Sequence, residues 1–158
     1  MFELVNVLRF GMIILLLQIC YQDFRTRQMS VLIWGIFCFV AMAYAVQQSV
    51  WSVLWRQGLV NMGFVTLQLG LVSLYFSWKH RRWVNISKEQ LGLGDIIFFL
   101  PLCWLFTPFH FILFYLFSLL LVLLGFLIYN ALATQKVQTI PLAGGQAICL
   151  IVVLLFIQ

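Results

Sequence analysis

Six apolar runs, near positions 2–20, 30–47, 58–78, 91–107, 109–132 and 140–158, take up almost the whole chain. Each approaches the ~20 residues a helix needs to cross a bilayer. Inside hydrocarbon a backbone must satisfy its own polar groups, which a helix does within one segment. The pattern therefore predicts an all-α integral membrane protein of about six transmembrane helices, a single membrane-embedded domain over residues 1–158. The fourth run is short and holds Pro101 in its interior, which predicts a short, kinked fourth helix. Composition agrees, with 65% hydrophobic and 8% charged residues, where a soluble domain is about half apolar and a quarter charged. The first run has the length of a secretory signal. It carries Glu3 as well as Arg9 and lacks a small-x-small cleavage site, so it is expected to be a retained span.

The formal charge of +5 does not indicate a nucleic-acid partner, because the basic residues fall in short connections. Arg25 and Arg27 follow the first run, the 78–90 segment holds four cations, and Lys136 lies between the last two runs. The positive-inside rule places loops 21–29, 78–90 and 133–139 in the cytoplasm and both termini outside a cell (cytoplasmic or inner) membrane. Trp51, Trp55, Trp78, Trp83 and Trp104 fall near predicted span ends, as interfacial anchors do. The four cysteines are far apart, there is no C-x-x-C, and the only histidines are His80 and His110. No metal or other cofactor is expected, and the cysteines read as small buried hydrophobes.

Only four residues are acidic, and two of them sit at span boundaries on the same predicted face. Asp23 closes the first run; Asp95 ends Gly92-Leu93-Gly94-Asp95 and leads straight into an apolar helix. A carboxylate within the hydrocarbon costs about 2.5–3.5 kcal/mol on insertion scales, so it marks a functional site by default. Each has a bland alternative. Asp95 can be an N-cap, and Asp23 a loop acid paired with Arg25 or Arg27. As a pair they offer more, because two carboxylates held close share one proton and titrate together. The ionised member can take a proton from water while the protonated one donates to a carbonyl oxygen, which is amide hydrolysis without a metal.

Gly92-Leu93-Gly94-Asp95 matches the GxGD signature of intramembrane aspartyl proteases. Asp23-Phe24-Arg25-Thr26-Arg27-Gln28-Met29-Ser30 resembles the Asp-x-Arg segment of type IV prepilin peptidases, and Ile140-Pro141-Leu142-Ala143-Gly144-Gly145 resembles their Ile-Pro-Phe-x-Pro segment. The resemblance runs in order over nearly the whole chain. It implies an aspartic-type endopeptidase with Asp23 and Asp95 as the catalytic pair, acting at the cytoplasmic face. The substrates it implies are prepilin-like proteins (type IV pilin, pseudopilin or preflagellin-like) with short cationic leaders. Bifunctional relatives carry an added methyltransferase domain with C-x-x-C motifs; its absence here implies peptidase only. The chain departs from the family pattern at Ile97, where many relatives have lysine, at Ser30-Val31 in place of Pro-Asn, and at Gly144 in place of a second proline.

For substrate binding the candidates are Glu89, Gly92, Gly94 and Pro141. Glu89 is the one spare cytoplasmic acid, though it can equally be a solvated loop residue. The glycines, with Gly144 and Gly145, leave room for an extended backbone or for close helix packing. Ser87-Lys88-Glu89-Gln90 fits a capping box. Expected partners are prepilin-like substrates and membrane lipid. Two rival readings remain: an inactive scaffold of a pilus or secretion assembly, and a small proton or solute transporter. No inverted repeat or second broken span favours the latter.

Overall fold

A computed structural model describes residues 2–26, 30–80, 93–132 and 141–156. Those residues form six helices and, among them, no strand. They are α1 Phe2–Thr26, α2 Val31–Gln48, α3 Trp51–His80, α4 Leu93–Leu105, α5 Pro108–Leu132 and α6 Leu142–Phe156. In α1, α2, α3 and α5 there is a stretch long and apolar enough to cross a membrane. By contrast α4, with 13 residues, and α6, with 15, are short. They extend only about 20 and 22 Å, against roughly 30 Å of hydrocarbon. An all-helical, membrane-embedded architecture follows.

Two boundaries differ from the sequence expectation. The expected 21–29 loop is helical as far as Thr26, so Asp23 stands on the last turns of α1. Nothing from Met12 to Thr26 is glycine or proline, and the end is locally supported. Arg25 hydrogen-bonds the Tyr21 hydroxyl and lies over its ring, and the Thr26 hydroxyl donates to the Gln22 carbonyl at 2.9 Å. The expected 48–57 loop is likewise helical from Trp51. There Trp51 and Trp55 meet edge-on one turn apart, with centroids 5.7 Å apart.

Against lipid, burying a leucine gains little, so close approach and hydrogen bonds specify helix packing. The short helices show this best. In α4, Pro101 has no N–H and leaves the Ile97 carbonyl without its helical partner. That carbonyl accepts instead from the Trp34 indole N–H of α2, at 3.2 Å. At the other end of α4, the buried Asn61 of α3 donates to the carbonyls of Cys103 (2.8 Å) and Phe106 (2.9 Å). Orphan carbonyls at a helix terminus are thereby satisfied from outside the helix. Trp104 packs within the bundle. Its indole lies against the bare Cα of Gly58 and edge-on to Trp55. Trp51, Trp55 and Trp78 are exposed; Trp83 lies outside the described residues.

α4 packs against α2, α3 and α6; α6 packs against α1, α5 and α4. One contiguous core results, with Leu16 and Ile19 of α1, Phe37 of α2, Phe98 and Leu102 of α4, Phe111 of α5 and Leu150 of α6 fully or almost fully buried. The contacts also fix which ends meet. The Ser30 amide, just before α2, donates to Gln22 Oε1 of α1 at 3.2 Å, and Trp34 reaches Ile97 near the start of α4. So the C-terminus of α1 lies at one end of the bundle with the N-termini of α2, α4 and α6.

Candidate functional site at the α1–α6 junction

The first helical hydrogen bond of α6 runs from the Gly145 N–H to the Pro141 carbonyl, at 3.1 Å. The three N–H groups before Gly145 have no partner within the helix, as at any helix start. Asp23 takes one of them: its Oδ2 accepts from the Gly144 N–H at 2.6 Å. This is an N-terminal cap delivered from another helix, 121 residues away in sequence. The bond and its place at the α6 N-terminus hold the buried Asp23 side chain in position. Asp23 itself is buried, with 9% of its surface exposed.

Gly144 leaves the room this close contact uses. A Cβ there would stand 2.9 Å from Asp23 Oδ2 and 3.0 Å from the Phe24 ring. Its neighbour Gly145 makes a second close approach, to Val122 of α5. The departure at Gly144 thus has a geometric account: a proline there would lack the N–H that Asp23 uses. The other departures, at Ile97 and Ser30, place a carbonyl under Trp34 and an amide on Gln22.

Asp95 stands third in α4, two residues before Ile97, so its backbone is at the same end of the bundle as Asp23. Its side chain lies outside the described residues. Gly94 is second in α4 and half-buried. Pro141 opens α6 beside Phe24, at one end of a groove of about 1310 Å³. That groove runs between α5 and α6 toward His110 and is almost wholly apolar. Glu89, Gly92 and the 87–90 capping box lie outside the described residues. Among the described residues no cluster of His, Cys, Asp or Glu could hold a metal ion.

Several buried polar groups were not singled out from sequence. Asn61 is one. Gln68 of α3 has a buried carboxamide oxygen with no hydrogen-bond partner. Gln146, two residues beyond Gly144, is fully buried, and neither its carboxamide oxygen nor its nitrogen has a hydrogen-bond partner. Each such unsatisfied group costs about 1–3 kcal/mol. The available signal was a polar residue in phase with Ala143, Ala147 and Leu150 on the inward face of an apolar run.

The fold and this junction define a class, an all-helical membrane-embedded protein with a buried carboxylate at a helix N-terminus. Comparison with protein-family models, with curated proteins and with solved structures returned no match.

Proposed function

We propose that the chain is a membrane aspartyl endopeptidase of the prepilin-peptidase type, with Asp23 and Asp95 as its catalytic dyad. In this reading it crosses a cell membrane six times, the fourth crossing short and kinked at Pro101, with both termini outside. Its substrates are prepilin-like proteins, cut at the cytoplasmic face behind a short cationic leader. The observation that carries the reading is the buried Asp23 carboxylate, held by the Gly144 N–H at the end of the bundle where the GxGD helix begins. A carboxyl oxygen fixed by a backbone N–H at a helix N-terminus is held in one position, from which it acts as the base toward water. Asp95 is then the partner that donates a proton to the scissile carbonyl oxygen. Water oxygen bonds to the amide carbon; as the C–N bond breaks the leaving amine takes the proton Asp23 drew from water, and Asp95 recovers its own from the collapsing hydroxyl.

The contact also favours a second reading, in which Asp23 is only a structural cap within a scaffold. One substitution series separates the two. Asp23→Asn keeps a side-chain oxygen that can accept from Gly144 but removes the charge, whereas Asp23→Ala removes both. The assay is co-expression with a tagged prepilin-like substrate, read as leader removal on a gel at matched membrane levels. The peptidase reading expects cleavage by wild type and none by Asp23→Asn or Asp95→Asn. The scaffold reading expects Asp23→Asn to support assembly as wild type does and Asp23→Ala to fail. Cleavage that survives either Asp→Asn change refutes the dyad.

A further inference from the structure

Gln146 has no structural task that the fold reveals. It stands on the inward face of α6 among Ala143, Ala147 and Leu150, all buried, where an apolar residue would satisfy every packing demand. Asn61, by comparison, is equally buried but places its amide on two carbonyls. Gln146 keeps both an acceptor and a donor unspent in one side chain. Its position is also particular. It lies two residues, about 3 Å along the axis, beyond the Gly144 that holds Asp23. It directly follows Gly145, which lines the α5–α6 groove with Phe24 and Pro141.

We infer that the Gln146 carboxamide is a recognition group for the backbone of a peptide lying against Asp23, its oxygen accepting a peptide N–H and its nitrogen donating to a peptide carbonyl. The inference rests on the reading of Asp23 as part of a peptidase site and adds to it how substrate is held. A primary amide and a peptide group are matched in donors and acceptors, so one peptide unit satisfies both open valences. The need is mutual. An extended segment presented for cleavage at membrane depth has lost its helical hydrogen bonds and requires partners from the protein. Such recognition ignores side chains, as a binder of varied leader junctions must.

The test uses purified full-length protein in detergent and a synthetic peptide of a cationic leader joined to apolar residues. Two readouts are taken: cleavage kinetics, and thermal stabilisation by the peptide. Gln146→Met removes the amide at nearly constant shape. It is expected to melt no lower than wild type without peptide, and higher if the open valences are costly. It should raise KM on the order of 10-fold with kcat within about 2-fold, as loss of one or two hydrogen bonds to substrate predicts. Peptide-induced stabilisation should fall in parallel, and N-methylation of the backbone at the junction should weaken binding to wild type but not further to the variant. A variant that melts well below wild type and keeps its KM overturns the inference, since Gln146 would then be structural, paired to internal water. Wild type that is stabilised by peptide but does not cleave it, with the effect lost in Gln146→Met, retains the inference and sinks the peptidase reading. Wild type that cleaves, with Gln146→Met unchanged in KM, does the reverse.

Discussion

Alanine at Gly144 perturbs the Asp23 geometry with little disturbance elsewhere. The new Cβ would stand 2.9 Å from Oδ2 and 3.0 Å from the Phe24 ring, where ordinary contact begins at 3.4 Å. Carboxylate and ring must each retreat by about 0.5 Å. The Asp23–Gly144 bond would stretch from its 2.6 Å to about 3.1 Å, still a hydrogen bond. Overpacking of this size costs about 1–2 kcal/mol. The helix propensity of alanine over glycine returns up to about 0.8–1 kcal/mol, so net destabilisation should be about 1 kcal/mol or less. If the proposed dyad is catalytic, activity is more sensitive, because a 1 Å misplacement costs on the order of 100-fold; half of that predicts a loss of about 10-fold. The assay pairs thermal unfolding in detergent with cleavage rate per folded molecule. Gly145→Ala is the control, since its Cβ meets Val122 rather than a carboxylate. That variant should lose more stability, about 1–3 kcal/mol, and keep its turnover per folded molecule. A Gly144→Ala protein that is folded and cleaves at the wild-type rate would refute the argument that the Asp23 position sets activity.

Three further outcomes follow from the same contacts. Asn61→Leu strands the Cys103 and Phe106 carbonyls and should cost about 2 kcal/mol, read as a lower melting temperature. Trp34→Phe should cost about 1 kcal/mol by freeing the Ile97 carbonyl. Pro101→Ala should suppress that cost by restoring an N–H to the same carbonyl, so a double-mutant cycle on melting should show coupling near 1 kcal/mol. Asp23→Ala should melt lower than Asp23→Asn, because only the latter keeps an acceptor for Gly144; equal melting would remove the cap from the account.

Among the described residues, the helices and their order were legible because apolar runs leave a backbone in hydrocarbon few options. Boundaries were less so. Asp23 and two arginines looked like a loop, yet charged residues at a membrane surface continue a helix readily when no glycine or proline stops it, as Tyr21 and Arg25 illustrate. Asp23 itself was legible by its cost in a membrane. Its partner in the described structure was not, because a backbone N–H has no letter in the sequence. Gly144 carried a trace of it as a missing proline, whose meaning depends on the α1–α6 contact. Gln146 was legible in principle as a polar residue on an inward face, but that α6 leaves it unpaired is a fact of packing alone.

The two short helices explain why the polar groups gather where they do. α1, α3 and α5 run about 38–45 Å, longer than the roughly 30 Å of hydrocarbon. α4 and α6 fall short of it, and the orphan groups at the α4 C-terminus and the α6 N-terminus are met by neighbouring helices. Each observed end is met by a side chain from a long or full-length helix: Asn61 for the α4 C-terminus and Asp23 for the α6 N-terminus. The chemistry of the two ends differs in kind. Carbonyls can be met by any donor, and a neutral amide is the less costly choice. An N-terminus can be met by any acceptor, and serine or asparagine would serve at lower desolvation cost than aspartate. An acid at that position is therefore more than the fold requires, and the surplus is the exchangeable proton that Asp23→Asn removes.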